Sequence, residues 1–220
     1  MSSFVITVDG PSAAGKGTLA RRLAAHFGFA FLDTGALYRG VGLTVLRQGH
    51  DPADEKAAIA AAEGLRAEIL SDPALRDEAT SRAASIVAAI PGVRAALLNW
   101  QREFAARPPN SGRGAVLDGR DTGTVVCPGA QAKLFISASV EARALRRFKE
   151  LEARQLPAGG EKAIYARVLQ DMQERDARDQ GRSISPTKAP ADAKVIDTSD
   201  LTADQVFDQA LAYVMSKMTA

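Results

Sequence analysis

Short apolar runs alternate along this chain with longer stretches in which apolar positions recur every three to four residues. The runs fall at residues 4–8, 29–32, 115–117, 133–136 and 193–196, each short enough for a strand buried on both faces. Strands separated by helical segments predict an α/β fold, a five-stranded parallel sheet with helices on both faces. After the first run, Leu19, Leu23 and Phe27 repeat at four-residue spacing and make one helical stripe that packs on the sheet. The C-terminal segment repeats the device with Val206, Ala210, Tyr213 and Val214, with Ser199 or Asp200 as its cap. Open sheets of this kind bind ligands beyond the carboxyl ends of their strands, so chemistry is expected in the residues that follow each run.

Two regions read as additions to that core. Residues 51–107 are alanine-rich and helical, broken at Asp72-Pro73 and Pro91-Gly92, and residues 148–165 hold Pro157, Gly159 and Gly160, as a lid with a flexible tip does. Residues 106–114 read as an exposed linker. A length of 220 residues suits one domain over 1–220, and 46% hydrophobic with 25% charged residues is ordinary globular composition. No apolar run approaches the roughly 18 residues a membrane span needs, and MSSFVITVDG enters a strand directly, without a basic segment and apolar core. Cys127 is the single cysteine, which excludes an internal disulfide framework, and a cytoplasmic location is expected. A formal charge of +2, with acidic residues nearly as frequent as basic ones, does not indicate a polyanion-binding tail, and neither a nucleic-acid polymer nor a membrane is an expected partner. The lack of an exposed apolar stripe favours a monomer.

The candidate chemistry begins at residues 10–18, GPSAAGKGT, between the first strand and first helix. Phosphate chains are held by inward-facing N–H groups, by glycines that admit left-handed dihedrals, by a lysine on the outer phosphates and by a helix N-terminus. Gly10, Pro11, Ser12, Ala13, Ala14, Gly15, Lys16, Gly17 and Thr18 supply such a loop for ATP, although the hydroxyl stands one residue later than in the usual pattern. The GKGT spelling resembles that of nucleoside monophosphate kinases such as adenylate kinase.

After the second strand, LDTGALYR offers Asp33 or Thr34 as a helix cap and puts Arg39 one turn beyond Gly35. The third strand ends in Asp118-Gly119-Arg120-Asp121. There Asp118 resembles the carboxylate that orients a magnesium ion through water, Gly119 lets the chain turn away sharply, and Arg120 points into the cleft to hold a phosphoryl group. In ERDARDQGR, residues Arg175, Asp179 and Arg182 stand at i, i+4 and i+7 and share one face if the segment is helical. That face is either a solvated ion-pair ladder or a holder for a phosphate and a sugar hydroxyl. Ser85 and Arg94, read from the residues alone, are a serine on an apolar helix and an arginine after a Pro-Gly break.

Taken in order, GPSAAGKGT, LDTGALYR, AASIVAAIPGVR, LDGRDTGTVVCP and ERDARDQGR resemble the successive signatures of the bacterial cytidylate kinases over nearly the whole chain. The resemblance implies a P-loop NTPase fold and phosphorylation of CMP and dCMP by ATP with Mg²⁺. It further implies that Ser85, Arg94 and Asp121 read cytosine, that Thr34, Arg39, Arg120 and Arg182 bind the acceptor phosphate, and that Arg175 and Asp179 hold the ribose. Arg143, Arg146 and Arg147 would approach the donor phosphates. Lys16, Asp118, Arg120 and Arg182 are then the candidate catalytic groups, with no direct protein metal site. Between residues 65 and 85 this chain is compact where many members carry a longer insert with short strands. The competing readings are a kinase of another small acceptor and a nucleotide-dependent switch. Against the switch, the chain lacks an Asn-Lys-x-Asp guanine-reading motif.

Overall fold

The computed structural model of the chain describes residues 3–109, 112–152, 161–182 and 184–219. Five strands, β1 (Phe4–Asp9), β2 (Ala30–Asp33), β3 (Gly114–Gly119), β4 (Ala132–Ser137) and β5 (Lys194–Asp197), form one sheet in the order β2-β3-β1-β4-β5. Every neighbouring pair is parallel, as strands joined through helical crossovers must be. The register sets Asp9 opposite Gly119 and Asp33 opposite Asp118, so the three strands that lead to the signature loops end at one level.

Alternation along the strands divides the core. Ile6, Val8, Val116, Leu134 and Ile136 face α1 (Lys16–Phe27) and α8 (Ala203–Met218), which contribute Leu19, Leu23, Val206, Ala210 and Val214. Ala115 and Leu117 face the other way, onto the end of α5 (Pro91–Ala106). The added region at 51–107 is helical: α3 (Glu55–Glu63), two 3₁₀ turns (Ala67–Ser71 and Pro73–Arg76), α4 (Glu78–Val87) and α5. These pack with α2 (Thr34–Arg47) around Leu37, Val41, Val45, Val87, Val93 and Leu97. Pro91 opens α5, and α4 meets α5 at a bend of 99°. A fourth apolar cluster, Ala144 with Val168 and Met172, joins α6 (Val140–Glu152) to α7 (Glu161–Gln180).

Several boundaries differ from the sequence expectation, each for a local reason. The third strand runs on through Asp118 to Gly119, because it pairs on both sides. The second strand begins one residue late, since Phe29 N–H closes the end of α1 on the Ala24 carbonyl. The last helix is capped by Thr202 in a reciprocal box with Gln205, not by Ser199 or Asp200; Ser199 instead bonds Asp197 and the Ser139 N–H. The helix carrying Arg175 and Asp179 stops at Gln180, so Arg182 lies past its end. Of the expected lid, 148–152 belongs to α6 and 161–165 to α7, while Pro157, Gly159 and Gly160 lie outside the described residues. Among the described residues no single helix is long and apolar enough to cross a membrane.

Candidate active site

At the carboxyl edge of the sheet lies a cavity of about 1110 Å³ lined by the whole of 12–18, by Asp33, Arg39, Ser85, Asp118, Arg120, Arg146 and Arg147, and by Arg175 and Arg178 of α7. Eleven arginines and Lys16 line it against six carboxylates, a balance suited to a multiply charged anion.

The phosphate loop owes its shape to one close approach and one left-handed glycine. Gly10 has φ +141°, and a Cβ there would sit 1.9 Å from the Ile136 carbonyl, so only glycine lets the chain leave β1 beside β4. Gly15 caps α1 in the left-handed region, and Lys16, the first helical residue, donates to the Pro11 carbonyl at 2.7 Å. Burial and then the Arg120 charge lower the Lys16 ammonium to about 7, against a smaller opposing pull from Asp118. Asp118 rests against the start of α1, where a Cβ on Gly17 would come 3.1 Å from its Oδ2. Burial raises its carboxyl, and Lys16 pulls it back down. Gly119 does not serve a sharp turn: its φ is ordinary, and its role is close packing, since a Cβ would meet Thr122 Cγ2 at 2.5 Å and Thr34 Oγ1 at 2.7 Å.

On the acceptor side, Asp33 caps α2 through the Ala36 N–H and pairs with Arg39 at 2.7 Å, while Thr34 donates to the Asp118 carbonyl at 2.8 Å. Asp179 is the centre of a buried cluster. Arg120 Nε donates to it at 3.2 Å, Arg175 lies at 3.9 Å, and Arg182 closes on its other oxygen even though α7 has ended. Burial alone would raise this carboxyl, but Arg120, Arg182 and Arg175 together hold it below its ordinary value. Burial and the neighbouring Arg120 charge bring Arg175 down to about 10. Three guanidiniums around one carboxylate leave a net positive field, as a phosphate site needs.

The residues expected to read the base divide into two groups. Arg94 and Asp121 form a buried ion pair, with Arg94 also donating to the Ala88 carbonyl at 3.2 Å and stacked 5.3 Å from the Tyr38 ring. Ser85 does not bond to either of them; it faces the large cavity and accepts from Arg178. The donor arginines divide likewise. Arg146 and Arg147 line the cavity, Arg146 bonding to Thr198 and Arg147 to Glu150. Arg143 is buried away from it, bidentate on Asp176 and bonded to the Ala138 and Ser12 carbonyls, so it braces α6, α7 and the phosphate loop.

Arg178 on the cavity wall, and Asp9 and Asp176 behind it, are residues that the motifs did not single out by role. Asp9 is 1% exposed and accepts from Thr122 N at 2.9 Å, Thr122 Oγ1 at 2.8 Å and Gly123 N at 2.7 Å, fixing a wide turn at Thr122–Val126. Burial lifts its carboxyl to about 6 despite those donors. Its signal was a lone acid at the end of an apolar strand. Arg178, a helical turn from Arg175 and Arg182, was visible by periodicity.

A family model described as cytidylate kinase matches residues 6–216. A cytidylate kinase of Paramagnetospirillum magneticum is 58% identical over 98% of this chain and 99% of its own, and one of Rhodospirillum rubrum is 54% identical over 97% and 98%. Among solved structures, an uncharacterized protein of Eubacterium ventriosum superposes with a TM-score of 0.54 at 13% identity, over 97% of this chain and 99% of that one, a likeness of fold alone.

Proposed function

The chain belongs to the cytidylate kinase family, and from that premise we propose that it transfers the γ-phosphoryl group of ATP to the 5′-phosphate of CMP and dCMP, giving CDP or dCDP and ADP. The observation that carries the reading is the convergence, on one cavity, of a phosphate loop from β1 with Arg120 and Arg175, two of the guanidiniums that pair with Asp179. We read the chain as one kinase domain in which 51–107 serves the acceptor and 148–165 the lid.

The loop 10–18 wraps the donor phosphates with backbone N–H groups and the N-terminus of α1, and Lys16 exchanges the Pro11 carbonyl for phosphate oxygens. Arg146 and Arg147 approach from the lid helix. Thr34, Arg39, Arg120 and Arg182 hold the acceptor phosphate, Arg175 and Asp179 the ribose, and Ser85, Arg94 and Asp121 the cytosine ring. The attacking atom is already a phosphate oxygen, so no strong base is required; catalysis is alignment plus neutralisation of charge on the transferring group. Its principal donors, Lys16, Arg120 and Arg182, are buried or half-buried, where water screens them least.

A magnesium ion fits this donor set when it arrives with the nucleotide. Among the described residues no group of three or more His, Cys, Asp or Glu side chains is placed to hold a metal, but Asp118 stands beside the loop, with Thr18 nearby on the cavity wall. Asp118 would orient the ion through water, and the ion would offset charge on the donor phosphates.

An ADP-release assay with Mg-ATP and each of CMP, dCMP, UMP, AMP and GMP tests the reading. Turnover concentrated on CMP and dCMP supports it; turnover confined to another acceptor, or background hydrolysis alone, overturns it.

A further inference from the structure

Thr198, the first residue after β5, is 3% exposed and joins three parts of the molecule. Its hydroxyl accepts from Arg146 Nη1 at 3.0 Å and its backbone carbonyl accepts from Nη2, so both arms of that fork end on this one residue. The same hydroxyl directs its proton at the carbonyls of Ala14, inside the phosphate loop, and Ser137, at the end of β4, each at 3.1 Å. A guanidinium only donates and a carbonyl only accepts, so the chain from Arg146 through Thr198 to Ala14 runs in one direction, and its middle member must both accept and donate. Bonds linked in this way strengthen one another. Residues 12–18, Arg146 and Thr198 all line the same cavity.

We infer that Thr198 is a positioning residue for the donor nucleotide, which holds Arg146 and the phosphate loop in fixed relation to each other. This rests on the reading of residues 10–18 and Arg146 as the donor-phosphate site. Two donors depend on it. Arg146 is a long, half-buried side chain with much rotamer freedom, and Thr198 restricts that freedom before any phosphate arrives. Only two of the five N–H groups of the guanidinium are used on Thr198, which leaves three for phosphate oxygens. The Ala14–Gly15 peptide is planar and trans, so the Gly15 N–H points away from the carbonyl that Thr198 holds, and pinning one end orients the other. An anion then meets both donors already ordered, which lowers the cost of binding it. Among the described residues Thr198 bonds to none of Thr34, Arg39, Arg120 and Arg182, so its effect falls on the donor.

The test measures KM for Mg-ATP and for CMP in the unmodified chain, Thr198→Val, Thr198→Ser, Arg146→Met and the Thr198→Val, Arg146→Met double variant. Thr198→Val keeps the outline and removes the hydroxyl; it is expected to raise KM for Mg-ATP roughly tenfold, as losing a hydrogen bond to a charged group does, and to leave KM for CMP unchanged. Thr198→Ala removes the same group without the second methyl, so the test does not depend on one variant folding. Thr198→Ser keeps the hydroxyl and restores the KM for Mg-ATP. With Met at position 146, Thr198→Val raises that KM by a smaller factor than in the unmodified chain. An unchanged KM for Mg-ATP in Thr198→Val and Thr198→Ala, a common rise for both substrates, or the same factor with and without Arg146 overturns the inference and leaves Thr198 a tie between β4 and β5. Absence of CMP turnover in the unmodified chain overturns the kinase reading instead, and affinity for a non-hydrolysable ATP analogue then decides the inference by the same comparison.

Discussion

Binding of ATP is expected to draw a proton onto Lys16. Lys16 is 5% exposed, and burial with the adjacent Arg120 charge lowers its ammonium from 10.5 to about 7. That displacement corresponds to about 5 kcal/mol at ~1.4 kcal/mol per pH unit. The unfolded chain keeps this proton up to about pH 10.5 and the folded chain only up to about 7, so in between the unfolded state binds more protons. Lys16 therefore makes the free protein more stable as pH rises from 7 toward 10.5, and its charging penalty is fully present below 7. Donor phosphates reverse the balance by giving the ammonium its partner. At pH 8 about nine-tenths of a proton should be taken up per nucleotide, at pH 6 about one-tenth, and affinity should fall about tenfold per pH unit above 7. Titration calorimetry with a non-hydrolysable ATP analogue, repeated in buffers of different ionisation enthalpy, reads the uptake directly. Lys16→Met serves as the control, since it binds more weakly and removes the pH-dependent uptake. Uptake at pH 8 no greater than in Lys16→Met would refute the reasoning.

Three further outcomes follow from the same contacts. Asp176→Ala strands the buried Arg143 guanidinium and should cost about 3–5 kcal/mol, or roughly 6–20 °C in Tm, readable by thermal melting; an unchanged Tm would mean that the brace contributes nothing. Asp179→Ala releases Arg120, Arg175 and Arg182 at once and should raise KM for CMP and dCMP unequally if the carboxylate meets the 2′-hydroxyl, whereas equal losses argue against that contact. Gly10→Ala forces a Cβ into the Ile136 carbonyl and should destabilise by 4 kcal/mol or more in urea unfolding, with about 4 kcal/mol marking the exceptional range for a single substitution.

What could be seen in the sequence was whatever is local. Strand, glycine loop and helix around Lys16 are contiguous, and Arg175 and Asp179 share a helical face, so spacing alone exposed both. The Thr202–Gln205 box also stood in the sequence, but Ser199 and Asp200 just upstream competed with it as caps. Arg94 and Asp121 are 27 residues apart on different elements, and only the family resemblance joined them. Arg143 shows the opposite case. The family resemblance implied a phosphate contact for it, but Asp176, 33 residues onward, claims its fork, and no local pattern reveals a partner at that distance. Arg182 reached Asp179 by the chain's turn after Gly181 rather than by helical periodicity.

The three bonds that Asp9 accepts tie the last residue before the phosphate loop to Thr122 and Gly123, the residues just after Asp121. For anyone redesigning the acceptor preference, this divides the protein into exchangeable and inseparable parts. The helices of 51–107 present Ser85 and Arg94 and can be traded as a cassette only if α5 keeps its packing on Ala115 and Leu117 and Arg94 keeps its pair with Asp121. Residues 119–123 cannot, because the same buried carboxylate sets their height and the exit angle of β1, so a graft there would misplace the donor nucleotide along with the acceptor.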